Sequence, residues 1–143
     1  MLLQSGAVRG AAVQRDRHLE KQPDWIFQFP NKHGIYPSLG HHYHFKMKIF
    51  LIDLPDPSPL WSRAQTRHFV AAAKTAAKLL KEKKTILCIC VSGKERSRAL
   101  AHAAAALAGE DASHIATPSN PALRATLARV RRAAARRAAR SGQ

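Results

Sequence analysis

Long apolar runs are missing from this sequence. No stretch approaches the roughly 20 consecutive apolar residues that a membrane-crossing helix requires, and the opening residues lack the basic, apolar and small-residue succession of a secretory signal. The expectation is a soluble cytoplasmic protein without a membrane span. Cysteine is scarce too, with 2 among 143 residues. Cys88 and Cys90 stand two positions apart in an apolar run, so on a strand both project to one face, where an ordinary disulfide is hard to close. A solitary C-x-C pair is also a poor zinc site. Disulfide frameworks and zinc modules are thereby set aside, and two thiols remain, one of them a candidate for reactivity. The third shortage is of acidic residues: 9 Asp and Glu against 24 Lys and Arg give a formal net charge of +15. None follows Asp111, and Arg124, Arg129, Arg131, Arg132, Arg136, Arg137 and Arg140 crowd the alanine-rich end. Such a charge attracts nucleic acid, phosphoproteins and acidic membrane surfaces without choosing among them.

What is present suits one domain with one site. The hydrophobic fraction is an ordinary 45%, but much of it is alanine, so the core must rest on a few large side chains. Along the chain, residues 7–20 read as a short, weakly amphipathic helix that Gly10 weakens. WIFQF at 25–29 reads as a strand between prolines, and HFKMKIFLI at 44–52 as a strand going deep into a sheet. The prolines of DLPDPSPLW then set a stiff exposed loop. Residues 62–83 carry a helical pattern with Ser62 as N-cap. TILCICV at 85–91 has the continuous apolar character of a central buried strand. The loop SGKERS leads into an alanine-rich helix at about 97–108, which Gly109 ends. After a proline-bounded connection at 114–121, a last helix carries the arginines. The expected fold is α/β, with a central, mainly parallel sheet flanked by helices. Residues 1–123 are expected to form the domain and 124–143 a basic helix or tail.

The chemistry concentrates in Cys90-Val-Ser-Gly-Lys-Glu-Arg96-Ser97, between that buried strand and a helix N-terminus. A loop curling there turns backbone N–H groups toward one point, and the helix dipole adds positive potential. Such a field favours the thiolate form of a cysteine. Gly93 frees the backbone to turn, and Arg96 offers a planar fork to two phosphate oxygens. One loop supplies nucleophile and clamp.

In these residues the sequence resembles the cysteine-dependent protein tyrosine and dual-specificity phosphatases, whose signature C-x-x-G-x-x-R-S/T follows a buried strand; here it reads CVSGKERS. The resemblance implies a phosphatase-like fold and a phosphomonoester hydrolase that uses neither metal nor organic cofactor. Cys90 would form a phosphocysteine, Arg96 would hold the phosphate with the loop Val91, Ser92, Gly93, Lys94 and Glu95, and Ser97 would assist departure from the sulfur. An aspartate from a separate loop would protonate the leaving oxygen and then activate water. Asp53 and Asp56 both qualify, with Asp53, at the strand end, ranked narrowly first. The pattern resembles compact bacterial members over about residues 20–130.

Two positions depart from the family: Ile89 stands where histidine usually precedes the nucleophile, and Glu95 puts a negative charge beside Arg96. These departures keep open a second reading, a catalytically impaired phosphate- or nucleic-acid-binding module on the same fold. A sulfurtransferase-like protein fits the arginine and serine spacing less well. The expected partner is a phosphorylated protein or another phosphomonoester, with nonspecific nucleic-acid contact through the arginine-rich tail as a further partner. Cys88 reads as a small buried hydrophobe. His41, His42 and His44 read as a solvated loop, and Trp25 and Trp61 as packing residues, Trp61 being the better rim candidate.

Overall fold

In the computed structural model, which describes residues 8–12, 23–36 and 48–142, strands and helices follow the order β1 (Val8–Ala12), β2 (Trp25–Gln28), β3 (Lys48–Leu51), α1 (Arg63–Lys81), β4 (Ile86–Cys90), α2 (Arg96–Ala108) and α3 (Pro121–Ser141). The strands pair as β1-β4-β2-β3, and every pair is parallel. A strand bonded on both sides in a parallel sheet is apolar throughout. Accordingly Ile86-Leu87-Cys88-Ile89-Cys90 is buried at every position. The α/β class and the parallel sheet are those expected from the sequence.

Two local expectations are corrected. Residues 8–12, expected in a helix over 7–20, form β1, with Val8 opposite Ile86 and Ala12 opposite Cys90. Local helix propensity is weak there because of Gly10, and the open edge of β4 offers a hydrogen-bond partner that decides the outcome; residues 13–20 of that expectation lie outside the described residues. The strand expected to run deep over 44–52 is, in its described part, the sheet edge. Ile49 and Leu51 remain 48% and 52% exposed, so hydrophobicity alone misplaced it.

Ser62 opens α1 with a full capping box: its hydroxyl accepts the Gln65 N–H, and the Gln65 side chain accepts the Ser62 N–H. Two otherwise orphaned donors are satisfied. Ala72, Ala73, Ala76 and Ala77 form the buried face of α1 with Phe69 and Leu80. Small side chains let α1 lie close on α2, itself buried through Ala99–Ala105. The bulk of the core comes from Phe27, Phe29, Ile52, Leu54, Phe69, Leu80, Leu100 and Leu123. Gly109 ends α2 at φ 72°, a left-handed conformation that suits glycine.

Asn120 caps α3 by accepting the N–H groups of Ala122 and Leu123, and Pro121 occupies the first turn, where its missing N–H costs nothing. The helix runs unbroken across 123/124, the expected domain boundary. Thr126, Leu127 and Val130 are buried beyond it, so the basic segment is the outer continuation of a packed helix rather than a separate tail. From Arg131 to Gly142 every residue except Ala134 is exposed. Among the described residues, no helix is long and apolar enough to cross a membrane.

Candidate active site

Cys90 ends β4, and α2 begins at Arg96. The loop between them therefore lies at the carboxyl ends of the strands, where open α/β sheets take ligands. Gly93 turns it at φ 70° and is buried. The Ser92 hydroxyl accepts the Lys94 N–H at 3.1 Å and lies 3.9 Å from Cys90 Sγ. Val91 and Lys94 are exposed.

The sulfur closes the first turn of α2. Cys90 Sγ accepts the Ser97 N–H at 3.4 Å, and the thiol donates to Ser97 Oγ at 3.2 Å. A first-turn N–H has no partner within its own helix, so sulfur fills the acceptor place that a capping side chain would otherwise take. Glu95, at the N-cap position, makes no side-chain capping bond. Positive potential from the helix end thus falls on the sulfur.

Glu95 faces away from this loop. Its carboxylate accepts the Ser119 N–H at 2.8 Å, the Ser119 hydroxyl at 2.7 Å and the Asn120 N–H at 2.7 Å. Burial pushes its carboxyl up, but the hydrogen bonds from Asn120 and Ser119, with the Arg98 charge, outweigh it and hold the group below the usual glutamate range. The negative charge beside Arg96 is therefore spent on fastening the start of α3. Asn120 reaches on, donating from its side chain to the Pro57 carbonyl at 3.3 Å.

Arg96 is the meeting point of the two loops. It is only 4% exposed, its guanidinium donates to the Leu54 carbonyl at 2.6 Å, and it lies 5.3 Å from the centre of the Phe29 ring. Its Nε is 3.0 Å from Asp56 Oδ1, yet makes no aligned hydrogen bond. The pair is Coulombic contact with the Nε–H off axis. A buried donor without an aligned acceptor is costly and chemically available to an anion.

The structure brings together Cys90, Arg96, Ser97 and Asp56. Asp53 is exposed, and its charge, after burial, raises the Tyr36 phenol, which the Arg96 charge lowers. Asp56 is the aspartate that pairs with Arg96. Trp61 holds the Asp56 loop from behind: its indole N–H donates to the Pro55 carbonyl at 2.7 Å, and its ring packs on Phe69. Cys88 lies buried on the face it shares with Cys90, and burial, reinforced by Cys90, pushes its thiol up.

Several contributors escaped sequence reasoning. Asn120 had a legible role as a cap before Pro121, but nothing announced its reach to Pro57. Phe29, Tyr36 and the Leu54 carbonyl carry no local signal. His41, His42 and His44 lie outside the described residues, among which no cluster of His, Cys, Asp and Glu is arranged to hold a metal. In comparison with known proteins, the chain matches no family model, and no curated protein is significantly similar to it.

Proposed function

We propose that this protein is a cysteine-dependent phosphomonoester hydrolase of the tyrosine or dual-specificity phosphatase type. The observation that carries the reading is the 3.0 Å approach of Asp56 to Arg96. It sets a carboxyl group from a proline-stiffened loop beside the clamp of a loop that also holds a sulfur at a helix N-terminus.

The reaction runs in two displacements. Cys90 sulfur attacks phosphorus while Arg96 and the loop N–H groups hold the equatorial oxygens; an S–P bond forms and the bond to the leaving oxygen breaks. Asp56 gives its proton to that oxygen. Water then attacks phosphorus, passing its proton to Asp56, and the S–P bond breaks. The Ser97 hydroxyl, already in contact with sulfur, turns its proton toward the departing thiolate. Ile89, in the position usually held by histidine, leaves the sulfur supported by Ser97 and the helix end.

The test is hydrolysis of an aryl phosphate by the purified protein and by Cys90→Ser, in EDTA, across mildly acidic to neutral pH. Turnover that vanishes in the variant supports the thiolate route. No turnover by the folded wild-type protein would overturn it in favour of the binding-module reading.

A further inference from the structure

Among the described residues, α1, α2 and α3 contain no acidic residue, while α1 carries Arg63, Arg67, Lys74, Lys78 and Lys81 and α3 carries seven arginines. Both pack chiefly on α2, which leaves a furrow between them. Two cavities of about 470 and 410 Å³ lie along it and share Thr66, Thr126 and Arg129. Val70, Leu107 and Val130 line the larger one, among Lys74, Arg129 and Arg132. The smaller one reaches Trp61, whose indole holds the Asp56 loop through Pro55. The furrow therefore leads from the rim of the candidate active site along the outer helices.

Like charges facing one another across a furrow repel, and a bound polyanion relieves the repulsion. The apolar lining decides which polyanion. A nucleic-acid single strand is held by aromatic platforms for its bases; among the described residues, Trp61 is the one aromatic lining either cavity, and it is buried with its N–H engaged. An amphipathic peptide places apolar side chains at i, i+3, i+4 and i+7 into such a groove, and its carboxylates pair with guanidinium forks.

We infer that the furrow between α1 and α3 docks an acidic amphipathic segment of a phosphoprotein substrate, outside the phosphorylated residue itself. The inference rests on the phosphatase reading for assigning that segment to a substrate; the docking chemistry stands on the furrow alone.

The test is fluorescence anisotropy with the Cys90→Ser protein, so that no turnover is needed. The probe is a labelled helical peptide with leucine at i, i+3, i+4 and i+7 and glutamate elsewhere. Its comparators are a peptide of equal charge with serine for leucine and a single-stranded oligonucleotide of equal charge. The leucine peptide is expected to bind about tenfold tighter than either comparator, or more, a difference of about 1.4 kcal/mol. Arg129→Glu with Arg132→Glu should weaken it by a similar factor, whereas Lys81→Glu with Arg124→Glu, the same charge change outside the furrow, should cost less than about threefold. Circular dichroism checks folding, and Arg136→Glu with Arg137→Glu serves if the first pair fails to fold. Equal binding of the two peptides, tighter binding of the oligonucleotide, or equal loss in the two charge pairs would overturn the inference. Absence of aryl phosphatase activity in the wild type would remove the phosphatase reading and leave these binding results to stand by themselves.

Discussion

The Glu95 carboxylate accepts the Asn120 backbone N–H at 2.7 Å, joining the loop that holds Cys90 to the start of α3. Through the Asn120 side chain the link extends to Pro57, next to Asp56. The loop bearing Arg96 and the loop bearing Asp56 are thereby tied to one helix end.

Glu95→Ala leaves the Ser119 and Asn120 donors without this acceptor. A loss of about 1–3 kcal/mol in urea denaturation is expected, together with a fall of about tenfold in kcat/KM for an aryl phosphate, as the Asp56 loop loses its fixed position. Because the folded carboxyl is held below its ordinary value, its contribution is present above about pH 4.3 and is lost as pH falls through the lower folded value. Denaturation curves through that acid range should converge for the two proteins. A constant gap would sink the assignment.

Asp56→Asn should lower kcat by about 10²–10⁴, the usual worth of a positioned general acid. Asp53→Asn should cost less than about tenfold, since Asp56 is the aspartate paired with Arg96. Steady-state kinetics on one aryl phosphate decides, and the reverse order would return the acid role to Asp53.

The loop between β4 and α2 was legible as a loop because its information is local. Cys90, Gly93, Arg96 and Ser97 are contiguous, and the apolar run before them marks a buried strand. Ser62 and Gly109 are likewise short-range signals that begin or end helices. The choice between Asp53 and Asp56 was not local: Asp53 follows a strand end and Asp56 precedes a proline, and only the approach of Asp56 to Arg96 across the fold separates them. β1 failed for the same reason, since VRGAA becomes a strand by pairing with β4. The arginines of α3 read as a helix or tail outside the domain because charge hides the spacing of Leu123, Leu127 and Val130, which places one side of that helix in the core.

The two cysteines should behave oppositely although both are buried on one face of β4. Iodoacetamide near neutral pH is expected to alkylate Cys90 and to be slowed by inorganic phosphate, whereas Cys88, its thiol pushed up by burial, stays unmodified in the folded protein. Cys88→Ala should keep most activity at a stability cost of about 1 kcal/mol. Peptide mapping by mass spectrometry reads the labelling; modification of Cys88 in the native protein would contradict this placement.

His102 gives the fold a different pH dependence. Its Nε2–H donates to the Ile115 carbonyl at 2.8 Å, and its Nδ1 accepts from Arg131 at 3.0 Å. Because a guanidinium can only donate, Nδ1 carries no proton, and the imidazole is neutral in a fixed tautomer between α2 and α3. Burial, with the Arg131 and His114 charges, holds it below the ordinary histidine value against the opposing pull of the Ile115 and Ala116 backbone. The unfolded chain titrates near pH 6.5, so between the folded and unfolded values it binds more protons and stability rises with pH. The contribution is complete above about pH 6.5 and is lost as pH falls through the folded value. In urea, His102→Gln should be less stable than wild type by about 1–2 kcal/mol at neutral pH and should show a shallower decline as the solution is acidified from neutral pH toward the carboxylate range. Parallel curves for the two proteins would mean that another group carries the slope, and the neutral, Arg131-bound imidazole would have to be abandoned.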